Sequence, residues 1–175
     1  MEIREAYELI KTELLNSQKQ IWYDLGCGAG TFTLALAELL PPDSCIYAVD
    51  QNENSLKSIP PEHHGVKIKK HRADFIEDEF PFADLDGILM ANSLHYVRDK
   101  ATFLGKIERY VKNDFRLLIV EYDNDAPNEW VPYPLSFQRL KTFFAQNNYS
   151  KILKLGERKS IYNRGAMYSA LISRQ

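Results

Sequence analysis

Three glycines alternate along the stretch DLGCGAG, at Gly26, Gly28 and Gly30, between a strand-like run and a helix-like run. Glycine lets the backbone turn tightly and lets a ligand touch the main chain, because no Cβ intervenes. The helix that follows would offer unpaired N–H groups and a partial positive charge at its N-terminus. The stretch can therefore hold a phosphate or a carboxylate. The alternative is a tight strand-to-helix turn without a ligand.

The glycine spacing matches neither of two common nucleotide loops. The dinucleotide fingerprint needs Gly or Ala where this chain has Thr31 or Thr33, depending on which glycine starts the count. The sequence also lacks the G-x-x-x-x-G-K-[ST] pattern of a P-loop. A nicotinamide-dependent oxidoreductase therefore stays a less favoured alternative.

Two aspartates follow later strand-like runs. Asp50 ends the second run, and an acidic side chain there can accept hydrogen bonds from both hydroxyls of a ribose. Asp74 follows the third run and could accept from an adenine amine, while Phe75 could lie on the adenine face. An isolated aspartate after a strand is more often a turn or capping residue. The order and spacing after the glycine stretch favour a nucleoside site.

Alternating strand-like and helix-like runs must position these residues. Hydrophobic periodicity predicts helices over residues 3–15, 31–40, 53–58, 99–111 and 137–147. Strands are predicted over 21–25, 45–49, 66–70, 88–91, 117–120, 152–158 and 167–173, the last two joined by a turn at 163–165. This alternation predicts a parallel sheet covered on both faces, ending in an antiparallel pair. Such sheets bind ligands beyond the carboxyl ends of their strands.

Whole-chain totals limit the class of protein. The 175 residues are 45% apolar with a formal net charge of −2, which fits one domain with a full core and disfavours nucleic acid as the main partner. No apolar run approaches the ~20 residues of a membrane span, and the N-terminus lacks a secretory signal layout. We therefore expect a cytoplasmic protein with no membrane partner. We expect no metal, because Cys27 and Cys45 are the only cysteines and we expect His63-His64 to be solvated in a polar loop, without acidic or Cys partners for a metal site.

The segments DLGCGAG, AVD, RADF and NSLHYVRD, in this order, resemble the class I S-adenosylmethionine-dependent methyltransferases. The resemblance covers roughly residues 20–125 and is closest to the small-molecule branch. It implies a three-layer, Rossmann-like, doubly wound α/β fold with a mostly parallel seven-stranded sheet. It also implies a single domain over 1–175, with an N-terminal helix in 1–18, a cofactor-binding core in 20–125, a substrate-side loop and helix in 126–150, and a closing hairpin in 151–175.

The resemblance implies S-adenosyl-L-methionine as the cofactor and assigns residues to its amino-acid part. Asp24, Gly26 and Gly28 would line the methionine part, with Gly30 completing the glycine loop. Asn92 would offer its backbone carbonyl to the cofactor ammonium.

The resemblance also assigns residues to the nucleoside part. Asp50 would hold the ribose hydroxyls, and Gln51 would flank the adenine. Asp74 would meet the adenine edge, and Phe75 would meet its face.

Three residues are candidates for the chemistry of methyl transfer. The resemblance places His95 and Tyr96 near the reacting methyl, and the ordinary pKa of histidine, near 6.5, suits a general base. The alternative for His95 is packing at a helix start. Tyr96 could line the acceptor pocket. Glu121, at the end of the fifth strand, could act as a base or substrate ligand, or be a solvated strand end.

The acceptor is argued by elimination to be a small molecule. The segment after the fourth strand lacks the Asn-Pro-Pro-aromatic motif of adenine or cytosine amino-methylation, and no cysteine follows Cys45 for ring-carbon methylation. With no inserted cap, the acceptor pocket must come from the N-terminal helix, residues 122–140, or a partner subunit in a homodimer. Trp130, Tyr133 and Phe137 could form a lid or pack under a rigid loop. The alternative function is a methyltransferase-like module that binds cofactor or a partner without turnover.

Overall fold

The computed structural model describes residues 1–15, 17–159 and 166–174. Within these ranges the helices are α1 (Ile3–Ile10), α2 (Thr31–Leu39), α3 (Glu53–Lys57), α4 (Lys100–Ile107) and α5 (Phe137–Gln146). The strands are β1 (Ile21–Leu25), β2 (Cys45–Asp50), β3 (Glu62–His63), β4 (Val66–Arg72), β5 (Leu85–Ala91), β6 (Val111–Tyr122), β7 (Lys151–Lys159) and β8 (Ala166–Ser173). Single 3₁₀ turns cover Glu13–Leu15, Leu94–Tyr96 and Glu108–Tyr110. Each helix and strand that the sequence predicts is present, although several ends shift.

The strands form one sheet in the order β3-β4-β2-β1-β5-β6-β8-β7. Neighbours from β4 through β6 are parallel, whereas β3 and the β7–β8 hairpin are antiparallel to their neighbours. The strand order reverses at β1, which pairs with β2 on one side and β5 on the other. The predicted Rossmann-like α/β class is confirmed, and a sheet of this kind opens its ligand crevice at this reversal.

The predicted number of strands, seven, is wrong because the sheet has eight. The additional strand, β3, is folded back onto β4 by a two-residue turn at His64 and Gly65. Both turn residues have positive φ, +50° and +77°, as a tight hairpin with a two-residue loop requires. A strand of two residues shows no alternation of polar and apolar side chains, so the sequence pattern did not reveal it.

The predicted N-terminal helix over residues 3–15 is wrong at its end, because α1 stops at Ile10 and a separate 3₁₀ turn follows. A continuous helix over residues 3–15 would put Leu14 on the same buried face as Ile3, Tyr7 and Ile10. The break instead buries Leu15, whose carbonyl accepts a hydrogen bond from Gln20 Nε2 at 2.6 Å, and leaves Leu14 53% exposed. Packing of Leu15 therefore overrides helical periodicity here.

The end of the predicted helix over 99–111 and the start of the predicted strand over 117–120 also differ from the structure. Val111 belongs to β6 rather than to the preceding helix, and β6 also includes residues 112–115. Asp99 caps the N-terminus of α4, since its carboxylate accepts a hydrogen bond from Thr102 N at 3.0 Å. The predicted turn at 163–165 lies outside the described residues.

Helices cover both faces of the sheet because neighbouring strand residues point to opposite faces. Along β1, Trp22 packs on the face that carries α1 and α2, while Tyr23 packs on the face that carries α4 and α5. The Leu- and Ala-rich α2 buries Ala35 and Leu36 and ends before Pro41. None of the helices in the described residues is long and apolar enough to cross a membrane. This packing fixes the carboxyl ends of the strands where the predicted site residues lie.

Candidate cofactor and acceptor site

A cleft of about 110 Å³ lies beyond the carboxyl ends of β1, β2, β4 and β5. Its lining combines backbone, carboxylate, amide and aromatic groups from four separate segments: Gly26, Asp50, Gln51, Ala73, Asp74, Phe75, Asn92, Ser93 and Tyr96. Most of the predicted cofactor residues are therefore side by side, although they are far apart in sequence.

The glycine loop is held against β2 and leaves its own backbone open. Gly26 N and Cys27 N both donate to Val49 O, at 2.8 and 3.0 Å. Gly26 has φ +78°, and a Cβ there would lie 2.7 Å from Ser93 Cβ, so a larger residue does not fit. Gly28 has φ +53°, and a Cβ there would meet no described atom within 4 Å. Its backbone therefore borders open space, as a ligand cradle requires.

Gly30 has a different place from the other two glycines. It stands at the N-cap of α2, and a Cβ there would lie 2.7 Å from Ile59, a core residue outside the cleft lining. Gly30 therefore packs under the loop rather than lining the cleft.

Asp50 connects the end of β2 to the glycine loop. Its Oδ2 accepts a hydrogen bond from Gly28 N, and its Oδ1 accepts one from Asn52 N, both at 2.8 Å. Each carboxylate oxygen has a second lone pair. The carboxylate is therefore fixed in the cleft and can still accept from two hydroxyl groups.

The loop after β4 carries Asp74 and Phe75. Asp74 Oδ1 accepts from Ile76 N at 2.9 Å and Glu77 N at 3.4 Å, which shapes the loop as a turn. Phe75 lines the cleft and packs edge-on against Phe103, with ring centroids 5.9 Å apart. Asp74 thus has the turn role that an isolated aspartate would have, while its position in the cleft lining also suits an adenine contact.

Asn92 lines the cleft and has a buried acceptor without a partner among the described residues. Its backbone is left-handed, with φ +55°, and its N–H donates to Val120 O at 2.8 Å. Its side-chain Oδ1 is buried and has no hydrogen-bond partner among the described residues. Buried acceptors normally have a partner, so this oxygen marks a place for a ligand donor such as an ammonium group. The resemblance assigns only the backbone carbonyl of Asn92 to the cofactor, so the side-chain acceptor is an addition from the structure.

Asp24 lies beneath the loop rather than in the lining of the cleft. Its Oδ2 accepts from Thr33 Oγ1 at 2.6 Å, whereas its Oδ1 has no partner among the described residues. Burial raises the pKa of the Asp24 carboxyl to about 7, with a further increase from the charge of Asp50. The carboxyl is thus poised to gain or lose a proton near neutral pH.

His95 and Glu121 form a buried pair. The carboxylate of Glu121 accepts from the His95 backbone N–H at 3.0 Å, and its other oxygen lies 2.7 Å from His95 Nδ1. Because a carboxylate can only accept, Nδ1 donates in this contact, and Nε2 is the ring nitrogen that Glu121 leaves unengaged. The side chains of His95 and Glu121 are only 3% and 1% exposed, so the alternative of a solvated strand end is wrong for Glu121. Sequence reasoning named both residues without pairing them.

Tyr96 connects this pair to the cofactor cleft. Its ring lies 4.4 Å from the His95 ring between centroids, and it is 48% exposed. Tyr96 belongs to the cleft lining, whereas His95 lies behind it. The predicted group of His95, Tyr96 and Glu121 is therefore assembled in space at the carboxyl ends of β5 and β6.

A larger groove, of about 830 Å³, begins directly after the turn that carries His95 and Tyr96. Its lining comes from residues 98–101, 125–135 and 139–146 and includes the basic residues Arg98, Lys100 and Arg139. The groove thus uses part of the predicted 122–140 segment. It uses no residue of α1, which packs against α2 on the other face.

The aromatic group predicted as a lid or as packing is packed at Phe137 and exposed at Trp130 and Tyr133. Phe137 packs edge-on against Tyr168, with centroids 5.4 Å apart. Trp130 is 64% exposed and Tyr133 is 39% exposed, and Tyr133 lines the groove. Phe137 is therefore packing, and the exposed Tyr133 is available to an acceptor.

Lys100 connects residues 131–135 by hydrogen bonds to the turn that carries His95. Its Nζ donates to Val97 O and Tyr133 O, both at 2.9 Å, and burial lowers its pKa. Tyr133 N in turn donates to His95 O at 3.0 Å. One wall of the groove is thus connected by hydrogen bonds to the His95 backbone.

We expect Lys100→Met to loosen residues 131–135, because the variant loses both hydrogen bonds of the ammonium group. The free energy of unfolding should fall by about 1–3 kcal/mol, the range for hydrogen bonds to charged groups. Urea unfolding measures this loss, and amide hydrogen exchange should accelerate in the segment. Lys141→Met, on the exposed side of α5, is the control. Unchanged exchange in the Lys100 variant would contradict the fastening role.

This chain is similar to known proteins in sequence and in fold. Residues 17–159 match a family described as a methyltransferase domain. A curated relative, an uncharacterized methyltransferase of Mycobacterium tuberculosis, is 25% identical over 116 residues, which cover 66% of this chain and 57% of the relative. The match thus spans only a little more than half the length of that relative.

Solved structures share the fold at low sequence identity. The YcgJ protein from Bacillus subtilis superposes with a TM-score of 0.65 at 14% identity, covering 97% of this chain and 96% of that one. The plantazolicin methyltransferase BpumL, solved in complex with SAH, has a TM-score of 0.64 at 12% identity, covering 99% and 82%.

Proposed function

The chain belongs to the methyltransferase-domain family, the class I S-adenosylmethionine-dependent methyltransferases, and we propose that it methylates an O, N or C nucleophile of a small-molecule acceptor. In this proposal residues 1–175 act as one domain, in which residues 20–125 hold the cofactor and residues 126–150 face the acceptor. When bound, the cofactor supplies a methyl group made electrophilic by a positively charged sulfur.

The observation that carries the proposal is that three kinds of group lie together in or beside one cleft, which Asp50 and Asn92 line and to which Gly28 is joined by its hydrogen bond to Asp50. The Gly28 backbone borders open space, Asp50 presents two fixed carboxylate oxygens, and Asn92 Oδ1 is a buried acceptor without a partner among the described residues. A ligand with an ammonium at one end and a ribose at the other satisfies all three. The residues present therefore fit S-adenosylmethionine.

Each predicted residue then has a specific role in binding. Asn92 would accept from the ammonium, Asp50 from the ribose hydroxyls, and Asp74 from the adenine amine, while Phe75 would lie on the adenine face and Gln51 beside it. Asp24 would act from beneath the loop, where its negative charge favours a cationic ligand.

His95 would act as the general base and Glu121 as the residue that positions it. The Glu121 carboxylate fixes the proton on Nδ1, so Nε2 can take a proton from an acceptor hydroxyl, amine or acidic carbon. The same carboxylate would stabilise the imidazolium that results. Tyr96 would separate the cofactor cleft from the acceptor and help to align the two.

The groove beside this pair suits a small acceptor. Its volume of about 830 Å³ lies within the range of about 300–1,000 Å³ that is typical of small-molecule pockets. Its basic side chains are balanced by Asp99 and Asp125, which disfavours a nucleic-acid track.

The direct test is to incubate the protein with S-adenosylmethionine labelled on its methyl group and with fractionated metabolite extracts. Transfer of label to a low-molecular-weight fraction supports the proposal. Cofactor binding without transfer to any fraction would favour the alternative of a binding module. Tight binding of NAD in place of S-adenosylhomocysteine would contradict the cofactor assignment.

We expect Asp50→Ala to weaken the binding of S-adenosylhomocysteine by about 1–3 kcal/mol, roughly 5- to 150-fold in the dissociation constant. The variant loses the acceptor for the ribose hydroxyls, and Gly28 N and Asn52 N lose their partner. Isothermal titration calorimetry measures the change. Glu53→Ala, an acidic residue outside the cleft lining, is the matched control and should bind as the wild type does. An unchanged dissociation constant for the Asp50 variant would contradict the ribose assignment.

A further inference from the structure

Three metal-ligating side chains meet at the end of the sheet opposite the cofactor cleft. His63 ends β3, His64 forms the following turn, and Glu38 lies in the last turn of α2. One potential ligand atom from each lies within 4.8 Å of the other two. The expectation that the two histidines lack an acidic neighbour is therefore wrong, because the fold brings Glu38 to them from 25 residues away.

The distances within this cluster suit a small tetrahedral ion. Two ligand atoms at about 2.0–2.1 Å from a tetrahedral zinc ion lie about 3.3 Å apart. His63 Nε2 and Glu38 Oε1 are separated by 3.2 Å, close to that value. The third ligand atom, from His64, lies within 4.8 Å of the other two, so it exceeds the tetrahedral spacing by about 1.5 Å at most. The His64 ring is exposed and can turn about its side-chain torsions to close that difference.

The backbone around the cluster is fixed. His64 has φ +50°, a left-handed conformation that turns of this kind usually give to Asn, Asp or Gly. The turn is attached to the chain after α2, since Gly65 O accepts a hydrogen bond from Asp43 N at 2.9 Å. A strained histidine on an anchored turn, beside a second histidine and a carboxylate, is a reason to look for a bound ligand.

We propose that Glu38, His63 and His64 bind one Zn²⁺ ion, with water at the fourth position. Two imidazoles and one carboxylate are a donor set that zinc accepts, whereas Mg²⁺ and Ca²⁺ prefer oxygen ligands alone. The ion would join the β3–β4 hairpin, at the edge of the sheet, to the end of α2. The proposal does not depend on the proposed methyl transfer.

The test is calorimetric titration of the full chain with Zn²⁺ after treatment with a chelator, together with thermal unfolding. The wild type should bind one ion per chain, and its melting temperature should rise with Zn²⁺ but not with Mg²⁺. Glu38→Gln, His63→Ala and His64→Ala should each lower the affinity at least about tenfold, the smallest loss usual even for an outer-shell partner. His71→Ala, which removes a histidine elsewhere on β4, should bind as the wild type does.

Two results would overturn the proposal. The first is no binding heat and no rise in melting temperature for the wild type. The second is a triple variant, Glu38→Gln/His63→Ala/His64→Ala, that keeps the wild-type affinity, which would place the ion elsewhere. Cooperative thermal unfolding of each variant without metal shows that the variants are folded, and it keeps this test separate from that of the proposed function.

Discussion

Replacing His95 by Gln is expected to lower kcat for methyl transfer by about 10²–10⁴-fold, the usual contribution of a general base. The dissociation constant of S-adenosylhomocysteine should change little, because His95 lies behind the cleft lining rather than in it. The expected signature is therefore a loss in kcat with cofactor affinity preserved. The measurement is steady-state kinetics on an acceptor found with the labelled cofactor, together with calorimetry.

The variant Glu121→Gln tests whether Glu121 positions His95. Glutamine keeps an acceptor oxygen but loses the charge that stabilises the imidazolium, so kcat should fall by less than in the His95 variant. The double variant should be no slower than His95→Gln alone, because the two residues act as one unit. Glu121 is 1% exposed, so thermal unfolding must accompany the kinetics. His71→Gln is the control, and full activity of His95→Gln would contradict the assignment of a base.

The second large effect concerns Asp24 and the pH dependence of stability. The ordinary pKa of this carboxyl is 3.8, and burial raises it to about 7 in the folded chain. Between these values the folded protein holds a proton that the unfolded chain has released, so stability falls as pH rises. A difference of about three pKa units corresponds to about 4 kcal/mol in the free energy of unfolding. This stabilisation is fully present below about pH 4 and is lost as the pH rises through about 7.

We therefore expect Asp24→Asn to have a flatter dependence of stability on pH than the wild type between about pH 4 and pH 7. At pH 8 the variant should be the more stable of the two, because no charge is buried. Urea unfolding at a series of pH values measures the difference. Asp114→Asn, an exposed aspartate on β6, should reproduce the wild-type profile. If the free energy of unfolding depended on pH in the same way for the wild type and for Asp24→Asn, Asp24 would be ionised over this whole range. That result would contradict the raised pKa.

The parts of the fold that the sequence predicts are those set by local pattern. The glycine stretch between β1 and α2, and Asp50 at the end of β2, follow from residue type and spacing because parallel strands end at the same edge. These features predict that Asp50 and Asp74 lie at one edge of the sheet, whereas the assignment of Asn92 to the cofactor follows from the resemblance.

The features that the sequence did not predict depend on contacts between distant segments. Burial of Glu121 against His95 requires β6 to lie beside β5, and the pairing with the His95 backbone is a tertiary hydrogen bond. The meeting of Glu38 with His63 depends in the same way on α2 ending beside the β3–β4 turn. Side-chain partners of this kind have no signal in periodicity or propensity.

A crystal structure with S-adenosylhomocysteine bound measures most directly whether this cleft is the cofactor site. We expect the ligand between the Gly28 backbone and Phe75, with both ribose hydroxyls on the Asp50 carboxylate and the ammonium on Asn92. Density for the ligand elsewhere, or an Asp50 carboxylate turned away from the ribose, would contradict the assignment and leave only the fold and the family.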